Sequence, residues 1–273
     1  MKEARSHVRN IVTLTTDFGY RDAYVGSMKG VVLSIAPHAT LVDITHDIPP
    51  YQIVFAALVL REACPRFPGQ SIHVAVVDPG VGGPRRPLLL ELGGHFYVGP
   101  DNGLFTLLLR DYPLEGAWEL ANRSYFLPEV SATFHGRDVF APVAAWVAQG
   151  VSPEEFGPSV SSPFTLEIPG VVCTQDLLEG EIICVDRFGN CISNIASRVF
   201  AEWIQADPFR IEIRGHTLTE IARSYDAVPP GRPLAIFGGL GYLEIALNQS
   251  RASESLGVQP GDAIVVERRV RHP

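Results

Sequence analysis

The chain has no surplus of positive charge: 22 lysines and arginines stand against 30 aspartates and glutamates, a formal net charge of −8. A nucleic-acid-binding protein needs a basic face, so that class is disfavoured. No uninterrupted apolar run approaches the ~20 residues a membrane span needs. No basic segment followed by an apolar one opens the chain, so no secretory signal is expected and the predicted location is the cytoplasm. Cysteine is scarce, at four residues: Cys64, Cys173, Cys184 and Cys191, none in a C-x-x-C pair. That spacing excludes a zinc ribbon and a thioredoxin motif, and buried free thiols are expected instead. H-E-x-x-H and a glycine loop ending in G-K-[ST] are also missing, so neither a metal ion nor a cofactor is expected.

What is present fits a globular protein of 273 residues, 46% apolar and 19% charged. The first half alternates strand-like and helix-like segments. Strands are expected over 11–15, 39–44 and 71–77, helices over 22–36 and 52–64, each helix closed by a proline. Residues 87–91 and 95–98, parted by Gly93-Gly94, read as a hairpin. Two more helices are expected over 102–110 and 137–149, the second with an apolar face at helical spacing. This rhythm predicts an N-terminal α/β domain, 1–165, with a mainly parallel central sheet. Between 150 and 170 four prolines and several serines break the pattern. Beyond that boundary, short apolar runs at 179–185, 209–213, 233–237, 242–247 and 263–266 predict a smaller C-terminal β-barrel domain, 170–273.

Three polar motifs interrupt apolar sequence. Asp17 in Thr16-Asp17-Phe18-Gly19 follows the first strand, where a carboxylate can accept hydrogen bonds from a ribose diol. A turn or helix-capping aspartate is the other reading. Asp78 opens Asp78-Pro79-Gly80-Val81-Gly82-Gly83, with Arg85 close enough to return to it; taken alone, a structural ion pair at a turn explains them as well. His135, in Phe134-His135-Gly136-Arg137-Asp138, stands just before a helix, where the helix dipole favours its neutral form and suits it to base work or to orienting water. It can equally cap that helix, and Asp138 can be an ordinary first-turn acid. Functional groups in open α/β sheets gather beyond the carboxyl ends of the strands, so the three motifs are expected to share one crevice, which points to an enzyme. In the second part, Asp186-Arg187-Phe188-Gly189-Asn190 offers an aromatic face beside an amide, a pair suited to a purine, or to a plain hairpin turn.

These motifs, with Gly241-Tyr242-Leu243-Glu244-Ile245-Ala246, occur in an order that resembles the S-adenosylmethionine hydroxide adenosyltransferases, relatives of the fluorinases and chlorinases. The resemblance spans nearly the whole chain. It implies hydrolysis of S-adenosyl-L-methionine to adenosine and L-methionine by attack of water at C5′, in a homotrimer with active sites between subunits. It implies Asp78, Arg85 and His135 as the water-activating set. It further implies Asp17 on the ribose diol, Asp186 on the methionine ammonium, and Phe188 and Asn190 on the adenine. Tyr51 falls where the halogenating relatives place an aromatic, and Tyr242 joins the substrate-binding residues. One departure stands out. The family commonly has a serine, often as Asn-Ser, just before Gly-Tyr-Leu, where it binds the methionine carboxylate; this chain reads Gly238-Gly239-Leu240-Gly241 there. The competing readings are a non-catalytic binder of S-adenosylmethionine or adenosine and a halogenase; an acidic Asp78 argues against the halogenase.

Overall fold

The computed structural model describes residues 11–205 and 207–269. The chain divides into two compact units, Met1–Leu166 and Glu167–Pro273.

Among the described residues the first unit holds six strands: β1 (Ile11–Thr16), β2 (Thr40–Thr45), β3 (Ile72–Val76), β4 (Pro87–Leu92), β5 (His95–Pro100) and β6 (Leu114–Glu119). They form one sheet in the order β2-β1-β3-β5-β4-β6. The β1, β2, β3 and β5 neighbours pair in parallel, while β4 pairs antiparallel with both β5 and the edge strand β6. Helices α1 (Tyr24–Ile35), α2 (Ile53–Ala63), α3 (Thr106–Asp111) and α4 (Ala141–Ala148) cover it. Successive side chains from β3 alternate between two cores, as period-two side chains must, while the buried apolar residues of β1 face the first of them. Val12, Leu14, Val74 and Val76 pack with Met28 and Val32 of α1 and with α4. Ala75 and Val77 pack with Ala56 and Leu60 of α2 and Leu108 of α3 on the other face.

The order of strands positions the site. From β1 the chain crosses through α1 to β2 on one side, then through α2 to β3 on the other. The carboxyl ends of β1 and β3 therefore flank a switch point, where a crevice opens in α/β sheets. The β4–β5 hairpin closes through Gly93-Gly94, both at positive φ, the conformation a two-residue loop requires.

Two helices differ from the sequence expectation. The helix expected from residue 102 starts only at Thr106, because Asn102 turns its side chain onto the Val77 carbonyl and the Leu104 N–H, and Gly103 takes φ +93°. The helix expected over 137–149 opens with a π turn, Gly136–Phe140, ahead of α4; Pro142 has no N–H to give to the turn before it. Strand β6 was not foreseen.

The second unit contains β7 (Val172–Cys173), β8 (Leu177–Val185), β9 (Cys191–Ala196), β10 (Phe209–Ile213), β11 (His216–Leu218), β12 (Ile221–Ala222), β13 (Pro233–Phe237), β14 (Tyr242–Leu247) and β15 (Ala263–Arg268). They run β11-β10-β15-β8-β9-β14-β13-β12, with β7 on β8, antiparallel except for β12 on β13. The sheet curls as a half-barrel around Leu178, Ile182, Ile195, Ile211, Leu243 and Ile264. The helix Ser197–Ile204, which follows β9, was not expected either. All four cysteines are free; Cys64, Cys184 and Cys191 are buried, but Cys173 is exposed, because it lies on the short edge strand β7.

Candidate active site

Thr16 at the end of β1 lies opposite Val76 at the end of β3, so Asp17 and Asp78 leave the sheet side by side. A cavity of about 300 Å³ opens there, lined by Asp17, Tyr51, Asp78, Phe134, His135 and Gly136 among others. The three polar motifs of the first unit thus meet at one crevice.

Arg85 stands behind the cavity wall. Its Nε donates to both carboxylate oxygens of Asp78 at 3.0 Å, and its Nη2 donates to Asp78 and to His135 Nδ1, the latter at 2.8 Å. The Asp78 side chain is only 4% exposed. The turn that returns Arg85 depends on Gly82, at φ +76°: a Cβ there would overlap the carbonyl of Ala132. That close approach brings the Asp78–Arg85 turn against the segment carrying His135.

A guanidinium can only donate, so His135 Nδ1 accepts and its proton sits on Nε2. Burial, and then the Arg85 charge, push the His135 pKa below its ordinary value, while Asp78 and Asp138 oppose this. The imidazole is therefore neutral and offers an N–H. Asp138, buried in the π turn, accepts from the Ser131 N–H at 2.8 Å and from Arg137 Nε at 2.6 Å. It ties down the loop that leads into His135.

On the opposite wall, Asp17 Oδ2 accepts the backbone N–H of Tyr51 at 3.0 Å. Tyr51 takes φ +67°, a left-handed conformation that costs a non-glycine residue energy and tends to be kept at functional sites. The residue is 71% exposed. Phe18, Tyr24 and Phe134, which line the same cavity, form an aromatic cluster with Phe134 edge-on to both others and ring centroids 5.1 to 5.8 Å apart. Tyr24 was not singled out from sequence; an aromatic at the first position of a helix just after a glycine turn was the available signal.

In the second unit, Asp186, Phe188 and Asn190 share the turn between β8 and β9. Asp186 accepts from the Asn190 backbone N–H at 2.8 Å and from its side-chain amide at 3.0 Å. Phe188 at the tip is 73% exposed, while Asn190 and Tyr242, the first residue of β14, are buried. Glu244, also missed from sequence, is buried on the same strand and accepts from the Tyr225 hydroxyl at 3.1 Å. Burial raises its pKa. Its carboxylate lies so close to Gly238 that a Cβ there would overlap it, which accounts for glycine at that position. Among the described residues no group of histidines, cysteines or carboxylates is disposed to hold a metal ion, and no helix is long and apolar enough to cross a membrane.

An α/β unit with a polar crevice at its strand ends, followed in the chain by a curled β unit, is a two-unit enzyme architecture. The chain belongs to the SAM hydroxide adenosyltransferase family, whose N-terminal domain matches residues 12–157 and whose C-terminal domain matches residues 180–265. It is 38% identical over 266 residues to a protein of Thermus thermophilus named (R)-S-adenosyl-L-methionine hydrolase, covering 92% of this chain and 96% of that one. A protein of the same name from Salinispora tropica is 39% identical, covering 93% and 97%. The crystal structure of an uncharacterized conserved protein from Thermotoga maritima superposes with a TM-score of 0.85 at 35% identity, covering 94% of this chain and all of that one.

Proposed function

We propose that the protein hydrolyses (R)-S-adenosyl-L-methionine to adenosine and L-methionine. The observation that carries this reading is the hydrogen-bonded set Asp78–Arg85–His135, of which Asp78 and His135 line the cavity that Asp17 also lines, in a chain so similar to hydrolases of that name. Water attacks C5′ in line with the sulfonium. The C5′–S bond breaks, its electron pair stays on sulfur as the methionine thioether, and the water's second proton leaves to solvent. The sulfonium is already a good leaving group, so neither an acid nor a cofactor is required. The protein's task is alignment, which supplies up to ~7–11 kcal/mol in favourable cases.

In this reading the Asp78 carboxylate accepts a hydrogen bond from the attacking water, His135 orients it, and the Arg85 charge behind both stabilises developing hydroxide character. The neutral His135 presents an N–H, so its part is to orient the nucleophile. Asp17 takes the ribose diol and Tyr51 walls the ribose. Asp186, Phe188, Asn190 and Tyr242 take the methionine ammonium and the adenine. A halide nucleophile is disfavoured because Asp78 would repel it. We assign the protein to the cytoplasm, where buried free thiols persist, and to a homotrimer with active sites shared between subunits. The family resemblance supports that assembly, and light scattering tests it.

The decisive experiment incubates the protein with each sulfonium epimer in oxygen-18 water. Labelled adenosine from the (R) epimer, lost in His135→Ala, is the expected result. Binding without any adenosine would move the protein to the class of S-adenosylmethionine binders.

A further inference from the structure

Behind Asp17 runs a chain of polar contacts that lies outside the water-activating set. The Phe18 N–H donates to Thr16 Oγ1 at 3.2 Å, and Thr16 Oγ1 lies 2.7 Å from His46 Nδ1. His46 Nε2 lies 3.1 Å from Asp43 Oδ1, off the line of a straight hydrogen bond. A lone pair on Nε2 would face that carboxylate, so the proton belongs on Nε2, and Nδ1 accepts from Thr16. Asp43 is held from outside: its Oδ2 accepts from Lys29 Nζ at 2.5 Å and from the Tyr20 hydroxyl at 2.7 Å. Burial alone would raise the Asp43 pKa, but the hydrogen bonds from Lys29 and Tyr20, together with the nearby His46 ring, outweigh it and hold the carboxyl below its ordinary value. The Tyr20 ring caps His46 edge-on at 5.0 Å.

His46 also binds the two segments that carry the ribose side of the cavity. Its carbonyl accepts the Gly19 N–H at 2.8 Å, and two residues on, the Ile48 N–H reaches the Thr16 carbonyl at 3.4 Å. The same segment continues to Tyr51, whose N–H holds Asp17 Oδ2. Asp17 is thus fixed from both flanks by a segment whose only fully buried polar side chain is His46.

We propose that His46, oriented by Asp43, is a positioning residue that places the Asp17 carboxylate for a vicinal diol and so sets the enzyme's preference for ribose over deoxygenated sugars. This rests on the reading of Asp17 as the ribose-binding carboxylate. A group displaced by a fraction of an ångström loses a charge-assisted hydrogen bond while the rest of the ligand stays in contact.

The test measures calorimetric dissociation constants of adenosine and of 2′,3′-dideoxyadenosine for the wild type, His46→Ala, His46→Asn and Asp43→Asn. The wild type is expected to favour adenosine. His46→Ala should weaken adenosine by ~10-fold, about the worth of one such hydrogen bond, with dideoxyadenosine unchanged. His46→Asn keeps an acceptor for Thr16 and should recover part of the loss. Asp43→Asn acts from the outer end with little change of volume, and serves should His46→Ala fail to fold. With S-adenosylmethionine, the same variants should raise KM while kcat holds within ~3-fold, a split that simple destabilisation would not produce. Equal weakening of both nucleosides, or none, overturns the proposal while leaving the Asp17 reading intact. A wild type that binds both nucleosides alike overturns the Asp17 reading and this proposal with it.

Discussion

Arg85 joins Asp78 to His135: one guanidinium donates to the Asp78 carboxylate and, 2.8 Å away, to His135 Nδ1. The imidazole is therefore held neutral by burial and by a neighbouring cation, and protonating it would break the bond to Arg85. The acid limb of the kcat/KM profile should fall below pH ~6.5, the ordinary histidine value, with a plateau through neutrality. Arg85→Gln removes the cation, so its residual activity should lose the acid limb at a higher pH. A limb that stays in place in Arg85→Gln would separate the rate from His135.

Asp78 and Asp17 line the same cavity but sit in different surroundings, and their variants should separate. Asp78→Ala is expected to lower kcat by ~10²–10⁴ with little change in KM, since it removes a group that acts in the transition state. Asp17→Ala should raise KM by ~10-fold or more and leave kcat nearly intact. Steady-state kinetics with one epimer checks both, and the reverse pattern would exchange the two roles.

Tyr51 is strained yet mostly exposed, at φ +67°. Glycine adopts that conformation without penalty, so Tyr51→Gly should unfold at an equal or higher temperature, offset in part by its greater freedom in the unfolded chain. Its KM should rise, because the cavity loses an aromatic wall. Tyr51→Val keeps the strain and should be the less stable of the two. Calorimetry beside kinetics reads both effects.

Part of this site was legible because a polar run directly after an apolar strand marks the carboxyl end of that strand, where crevices open. Asp17 and Asp78 stand out for that reason, and the parallel order of their strands brings them together; His135 stands out instead by its place just before a helix. What escaped was non-local. No local signal shows that His46 of one loop would bond Thr16 of another, or that Glu244, inside an apolar strand, would lie against Gly238. The late start of α3 was hidden because Asn102 spends its side chain on Val77, a partner 25 residues away. In the second unit, Asn190 looked like an amide free for a ligand, yet it donates to Asp186 within its own turn. That bond can orient the amide for a ligand as readily as it holds the hairpin.

A buried histidine pair should make the first unit sensitive to acid. His73 is fully buried in β3, with Nδ1 2.8 Å from Thr13 Oγ1, Nε2 3.3 Å from His95 Nδ1, and its ring stacked on Tyr97 at 5.0 Å. Burial, reinforced by His95, lowers the His73 pKa to about 3. Burial also lowers that of His95, against the opposing charge of Glu115. In the unfolded chain both titrate near ~6.5. Between these values the unfolded state binds more protons than the folded one. Stability is therefore complete above pH ~6.5 and declines as pH falls toward the folded values, by ~1.4 kcal/mol per pH unit for each proton taken up. The double variant Thr13→Val with His73→Phe keeps an aromatic ring against Tyr97, removes one titrating site and leaves no unpaired hydroxyl at Thr13. Its urea midpoint, followed by hydrogen exchange of the β1 and β3 amides, should fall less steeply between pH 7 and 5 than that of the wild type, by about one proton's worth of slope. Parallel slopes would mean that the acid lability of this unit arises elsewhere.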